Sequence, residues 1–185
     1  MWHKSTIMKT DTISLLNQLT AIAQSDLNHV TTIQKYTSNQ LNYKPAPGAW
    51  SILQCLEHLN RYAAFYLPEI EKALGKNNTP ATIFKGGIVG NMLVNMVVPK
   101  ENGKKIKTFT AMDPADMQLE PNVIDVFIAN QERLLAALAA AKNTNLNKGK
   151  IPVTFTKLLC LTTGNALRFM VHHNERHVQQ ALRNV

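Results

Sequence analysis

Four stretches of this sequence repeat their apolar residues every three or four positions, and the prolines and glycines that stop a helix fall between them. From about 11 to 37, Ile13, Leu16, Leu19, Ala23, Leu27, Val30 and Ile33 form one stripe, with Asn, Gln, Ser and Thr filling the other faces. Two prolines and a glycine in Pro45-Ala-Pro-Gly48 then impose an extended connection. A second helix is expected over about 51–74, opened by Ser51 and Gln54 at capping-box spacing and buried through Leu56, Leu59, Ala63, Tyr66 and Ile70. Pro68 should kink or restart it. Pro121 suits the first turn of a third helix over about 120–142, with Val123, Ile124, Phe127, Gln131, Leu134 and Leu138 inward, and a fourth is expected over about 162–183. These segments predict an all-α fold. A chain of 185 residues, 45% hydrophobic, can bury one good core, so one domain over 1–185 is expected.

Residues 79–112 are less regular. The apolar run from Ile88 to Val98 is too short to span a bilayer and predicts a short helix lying across the bundle, inserted between the second and third helices, with Asn91 and Asn95 on one face. Ile151-Pro-Val-Thr-Phe155 predicts an extended piece.

Charge and cysteine usage exclude several classes. The net charge of +8 is scattered, and its densest run, Lys100 to Lys107, has no aromatic residues alternating with the bases, so no nucleic-acid partner is expected. Cys55 and Cys160 sit in apolar sequence without metal-type spacing and are expected to be buried free thiols. The first residues lack a signal-peptide pattern and no apolar run is long enough for a membrane span, which predicts a cytoplasmic chain without a membrane partner.

Helix geometry sorts the six histidines. In the fourth helix Ala166, Phe169, Met170, His173, His177, Gln180 and Ala181 share an inward face, whereas Arg168, His172, Glu175, Arg176 and Arg183 lie elsewhere around it and His172 is expected to meet solvent. Imidazoles four residues apart stand one turn above each other and can bind one metal ion. A third ligand has to come from another helix, and His58, close to the inner stripe beside Leu59 and one turn from Tyr62, is the best candidate. His3, near the terminus, and His29, beside Asp26 and Asn28, are expected to be exposed. An inward histidine pair is equally the pattern of hydrogen-bonded core residues, and without the glutamate of HExxH it lacks the base of a zincin protease. Both readings remain open on spacing alone.

A family resemblance bears on that choice. Pro45-Ala-Pro-Gly-Ala-Trp-Ser-Ile-Leu-Gln-Cys-Leu-Glu-His-Leu59 resembles the segment of the DinB/YfiT-like superfamily in which a Trp-Ser pair starts the second helix and a histidine follows within it. His173-Asn-Glu-Arg-His-Val-Gln-Gln180 is similar to its C-terminal signature, and Lys105-Ile-Lys-Thr-Phe-Thr-Ala-Met-Asp-Pro114 to the basic stretch before its third helix. The resemblance implies an up-down-down-up four-helix bundle, often a homodimer, with His58, His173 and His177 as metal ligands. It implies zinc or nickel first, with manganese and iron also suited to three neutral imidazoles. Three protein ligands leave a position open, so the expected function is a metal-dependent hydrolase or low-molecular-weight-thiol S-transferase acting on a small molecule, with metal-bound water or thiol as nucleophile. Glu57, Tyr62, Asn174 and Gln180 are candidates to stand behind the ligands. The competing reading is a non-catalytic bundle that binds a small molecule or a partner.

Overall fold

A computed structural model describes residues 8–76, 79–100 and 108–184. His3, the run 101–107 and the start of the stretch resembling the family's basic segment lie outside them. The first strand, β1 (Lys9–Asp11), ends on Asp11, whose carboxylate accepts the Ser14 amide at 2.8 Å and caps α1 (Thr12–Ile33). The helix expected to reach residue 37 stops at Ile33 because a second nucleus competes for the chain. Thr37 and Gln40 bond each other's backbone amides as a capping box and start α2 (Ser38–Asn42), anchored by buried Leu41. The expected box at Ser51 and Gln54 is present, at 3.1 and 3.2 Å, and opens α3 (Ile52–Lys76). Pro68 does not restart that helix: it and Ala64, whose carbonyl its ring deprives of a partner, both face outward, where water can satisfy the carbonyl.

The insertion contains β2 (Ile83–Lys85), paired antiparallel with β1, and then α4 (Ile88–Val97), the expected short helix. It lies along the helix that carries Arg168 and Arg176 instead of across the bundle, since Asn91 meets Arg168 and the Met96 carbonyl meets Arg176. The remaining elements are a 3-10 turn (Thr110–Met112), α5 (Val123–Ala140) continued by a second 3-10 turn (Ala141–Asn143), a hairpin of β3 (Ile151–Val153) and β4 (Thr156–Leu161), and α6 (Thr163–Leu182). The predicted extended piece is thus half of a hairpin. Its second strand buries Leu161 and leaves Cys160 exposed, so the expectation of a buried thiol holds for Cys55 alone.

Side-chain contacts fix the bundle's directions. Gln34 at the end of α1 meets Asp125 at the start of α5 (3.0 Å), so these helices are antiparallel. Asn60 bonds the Val123 carbonyl and Glu71 pairs with Arg133, so α3 and α5 run parallel. His58 faces His177 while Tyr66 faces Phe169, so α3 and α6 are antiparallel. The order is up-down-down-up, with α1 and α3 on one diagonal and α5 and α6 on the other. Among the described residues no helix is long and apolar enough to cross a membrane.

A polar latch ties α4 to α6. Arg168 is buried, not outward, because Asn91 (2.8 Å) and Asn165 (2.9 Å) accept from its guanidinium and Asn165 in turn donates to the Gly86 carbonyl (2.7 Å). That latch buries Asn91, while Asn95, one turn further along the same face, is exposed. It needs a close approach: a Cβ at Gly90 would collide with the Asn165 side chain.

The core falls into two apolar halves. One gathers around Leu16, Tyr66, Leu67, Leu134 and Met170, the other around Val30, Leu56, Phe127 and Val178. Between them runs a buried polar layer: Asp26 of α1, His58 of α3, Gln131 of α5, and His173 and Asn174 of α6. Gln131 ties three helices, donating to the Ala23 carbonyl (2.8 Å) and accepting from Asn174 (2.7 Å). Asp26 Oδ2 has no hydrogen-bond partner, and burial first, then the negative charge of Glu175, pushes the carboxyl up to about 8.

Asp26 is therefore protonated in the fold at neutral pH and ionised in the unfolded chain. Its contribution to stability is complete below its ordinary value of 3.8 and is lost as pH rises through about 8. Asp26→Asn should remove this dependence. Thermal unfolding should show the variant gaining on the parent between pH 6 and pH 9, by on the order of 5–10 °C at the upper end. Parallel pH profiles for the two proteins would contradict the assignment.

Candidate metal centre

His58 lies on the face of α3 that also buries Cys55, Leu59 and Tyr62, while His173 and His177 continue the inward face of Phe169 and Met170 on α6. Antiparallel packing of these helices brings the three rings together. Their centroids are 5.0 Å (58–173), 4.6 Å (58–177) and 4.8 Å (173–177) apart, and one ligand nitrogen from each lies within 4.8 Å of the others.

The hydrogen bonds set which nitrogens face inward. His58 Nδ1–H donates to the Met112 carbonyl at 2.7 Å, leaving the Nε2 lone pair free, and His177 Nδ1–H donates to Gln180 Oε1 at 2.9 Å with the same result. His173 Nδ1 is buried without a partner, and its Nε2 stands 3.2 Å from that of His58. Nitrogens about 2.05 Å from a tetrahedral ion stand about 3.3 Å apart, so this pair already has ligand spacing. With His58 fixed as an acceptor, the close approach needs a proton or a cation between the two rings, and a divalent ion can take the proton's place.

The electrostatics favour neutral rings. Burial lowers His58 to about 4 and His177 to about 3, and holds His173 well below the ordinary imidazole value. The histidines oppose one another's charging, and Arg61, Arg176 and Arg183 add to the effect. Three neutral imidazoles are a competent donor set for a divalent metal, of the kind that holds catalytic zinc in carbonic anhydrase.

The predicted supporting residues divide. Gln180 touches His177, and the Tyr62 ring packs against His173 (4.4 Å) and His58 (4.9 Å). Asn174 turns to Gln131. Glu57 pairs with Arg61 at 2.9 Å, and Arg61 donates to the carbonyls of Ala111 and Asp113, so this pair steadies the loop whose Met112 carbonyl orients His58. His29 is exposed as expected. His172 is not free in solvent: it is half-buried against Glu175 at 3.0 Å.

Sequence reasoning missed Trp50 as part of the site. Its ring lies 4.7 Å from His58 and 5.6 Å from His177 and covers one side of the cluster, and its position just before the helix cap was the available signal. A cavity of about 100 Å³ opens beside the three rings. No carboxylate lines it among the described residues.

Fold and site together define an up-down-down-up helical bundle carrying a three-histidine cluster able to coordinate a divalent metal. The chain belongs to the DinB superfamily, which residues 18–181 match. A structure of YfiT from Bacillus subtilis, described as "a probable metal-dependent hydrolase with an unusual four-helix bundle topology", is similar to it with a TM-score of 0.58 at 16% identity, covering 100% of this chain and 91% of that one. None of the curated proteins matches significantly.

Because burial keeps these rings neutral well below pH 6.5, protons should compete weakly for a bound metal. Zinc affinity measured by chelator competition should change little between pH 7 and pH 5, where three ordinary imidazoles would lose on the order of 10⁴-fold. A loss of that size would show that the cluster titrates as exposed histidines do.

Proposed function

We propose that this chain is a metal-dependent enzyme, a hydrolase or a low-molecular-weight-thiol S-transferase, with His58, His173 and His177 as ligands of one divalent ion. The observation that carries the reading is the convergence of three neutral imidazoles from two helices on the wall of a cavity. Zinc or nickel are the first candidates, and manganese and iron also suit the donor set. A divalent ion on three imidazoles keeps a position open and makes water or a thiol acidic enough to act as nucleophile near neutral pH.

The chain's own residues supply the rest. Met112 and Gln180 hold two of the rings by their Nδ1–H groups. Trp50, Tyr62 and Phe169 pack around the cluster and keep bulk water away. The Tyr62 hydroxyl, raised in pKa by burial, stays protonated at neutral pH and can donate to negative charge developing in the cavity. Asn174 and the Glu57–Arg61 pair act at a distance, by holding α6 against α5 and by holding the Met112 loop.

The absence of a carboxylate, serine or cysteine from the described cavity lining favours one second reading, a non-catalytic bundle that binds a small molecule. We further infer one domain over 1–185 and a cytoplasmic chain, acting on a small molecule without a nucleic-acid or membrane partner. A homodimer is also proposed, with the exposed Ile88, Val89, Met92 and Met96 face of α4 as its contact.

Protein purified without added metal should carry nearly one equivalent of zinc, nickel, manganese or iron, and His173→Ala should lose it. Activity should be sought with ester and amide substrates, and with glutathione, bacillithiol, mycothiol and coenzyme A against an electrophilic acceptor. A hit should fall at least 100-fold in His173→Ala. Failure to take up metal on reconstitution would overturn the proposal, and metal uptake with every substrate inert would favour the binding module.

A further inference from the structure

The cavity beside the cluster has a composition that selects what enters it. Its inner end is the buried pair His58 and His173. Its inner wall is Leu93 and Val97 of α4 and Phe169 of α6, all buried. Its outer wall is an aromatic pair from two separate loops, Phe109 and Phe155, with centroids 5.5 Å apart and planes 15° from parallel. These two rings are 52% and 42% exposed, an unusual outlay of aromatic surface for a chain only 6% aromatic. Stacked on each other at the mouth, they extend the apolar wall from the core to solvent.

Resting on the function proposed above, we propose that the substrate presents a compact, uncharged apolar group, an aromatic ring or short branched alkyl chain, directly beside its reacting group. The apolar part lies against Leu93, Val97 and Phe169 and passes between the buried wall and the Phe109–Phe155 pair, while the reacting group meets the histidines. Size sets the limit: a cavity of about 150 Å³ lined by Leu, Ile and Phe accommodates benzene, and the space here is about 100 Å³, so the apolar group is no larger than a single ring. Charge supports the inference. No carboxylate in the described lining can compensate an ammonium group, and the Arg176 guanidinium stands in that lining, so a cationic substrate would enter against like charge and at a desolvation penalty.

Hydroxamates of increasing apolar size separate this inference from the reading beneath it. On zinc-loaded protein, benzohydroxamate should bind about 10–100-fold more tightly than acetohydroxamate, and 4-(aminomethyl)benzohydroxamate should lose most of that gain. Phe109→Ala with Phe155→Ala alters only exposed rings. It should cut the benzo-to-aceto ratio at least fivefold, and an unchanged ratio overturns the role given to the aromatic pair. Acetohydroxamate binding with no gain from the ring overturns this inference and leaves the metal reading standing. If neither hydroxamate binds because no metal is held, the metal reading fails, and toluene binding to the metal-free chain by ligand-observed NMR decides the pocket. A toluene signal that weakens in the double variant supports the apolar site, and no signal overturns it.

Discussion

A layer of buried polar groups, inserted between two apolar halves of one bundle, is the constraint on which the rest of this structure depends. Buried polar side chains need partners, and each that finds one fixes the register of the helices that supply it. Gln131 does this for α1, α5 and α6. The three histidines do it for α3 and α6, where the shared layer places His58 level with His173 and His177. Apolar packing alone would tolerate some sliding between these helices, whereas the polar layer specifies one arrangement.

The same layer explains why the cluster is poised for a cation. Burial strips the imidazoles of water and so keeps them neutral, and carbonyl and amide oxygens behind two of them hold their lone pairs inward. His173 lacks such a partner and its Nε2 is nearly in contact with that of His58. The proton that this 3.2 Å hydrogen bond requires is the one a divalent ion would displace. The loop carrying Met112 and the helix α4 are secured from outside the layer, by Arg61 with Glu57 in one case and by Arg168 with Asn91 and Asn165 in the other.

Much of this was legible in the sequence because helical periodicity translates directly into faces. The stripes located all four long helices, Ser51 and Gln54 marked the start of α3, and the i, i+4 spacing put His173 and His177 on one face with His58 as their partner. What escaped has a common cause: it depends on contacts between segments distant in sequence. Arg168 reads as a surface residue until α4 supplies Asn91, 77 residues away. Asp26 reads as a polar neighbour of His29 until packing buries it beside Glu175. Cys160 sits among apolar residues in sequence but lies on the outward side of a strand that only its pairing with β3 defines. Phe109, Phe155 and the Met112 carbonyl belong to loops without periodicity, so nothing local marked them as walls or supports of the site.

The central claim is that three imidazole nitrogens from α3 and α6 share one ion. X-ray absorption at the zinc edge of the loaded protein tests it most directly. The account predicts three imidazole nitrogens at about 2.0–2.1 Å together with at least one further light ligand, and one fewer imidazole in His58→Ala. A first shell containing sulfur, or an imidazole count that does not change when His58 is replaced, would contradict it.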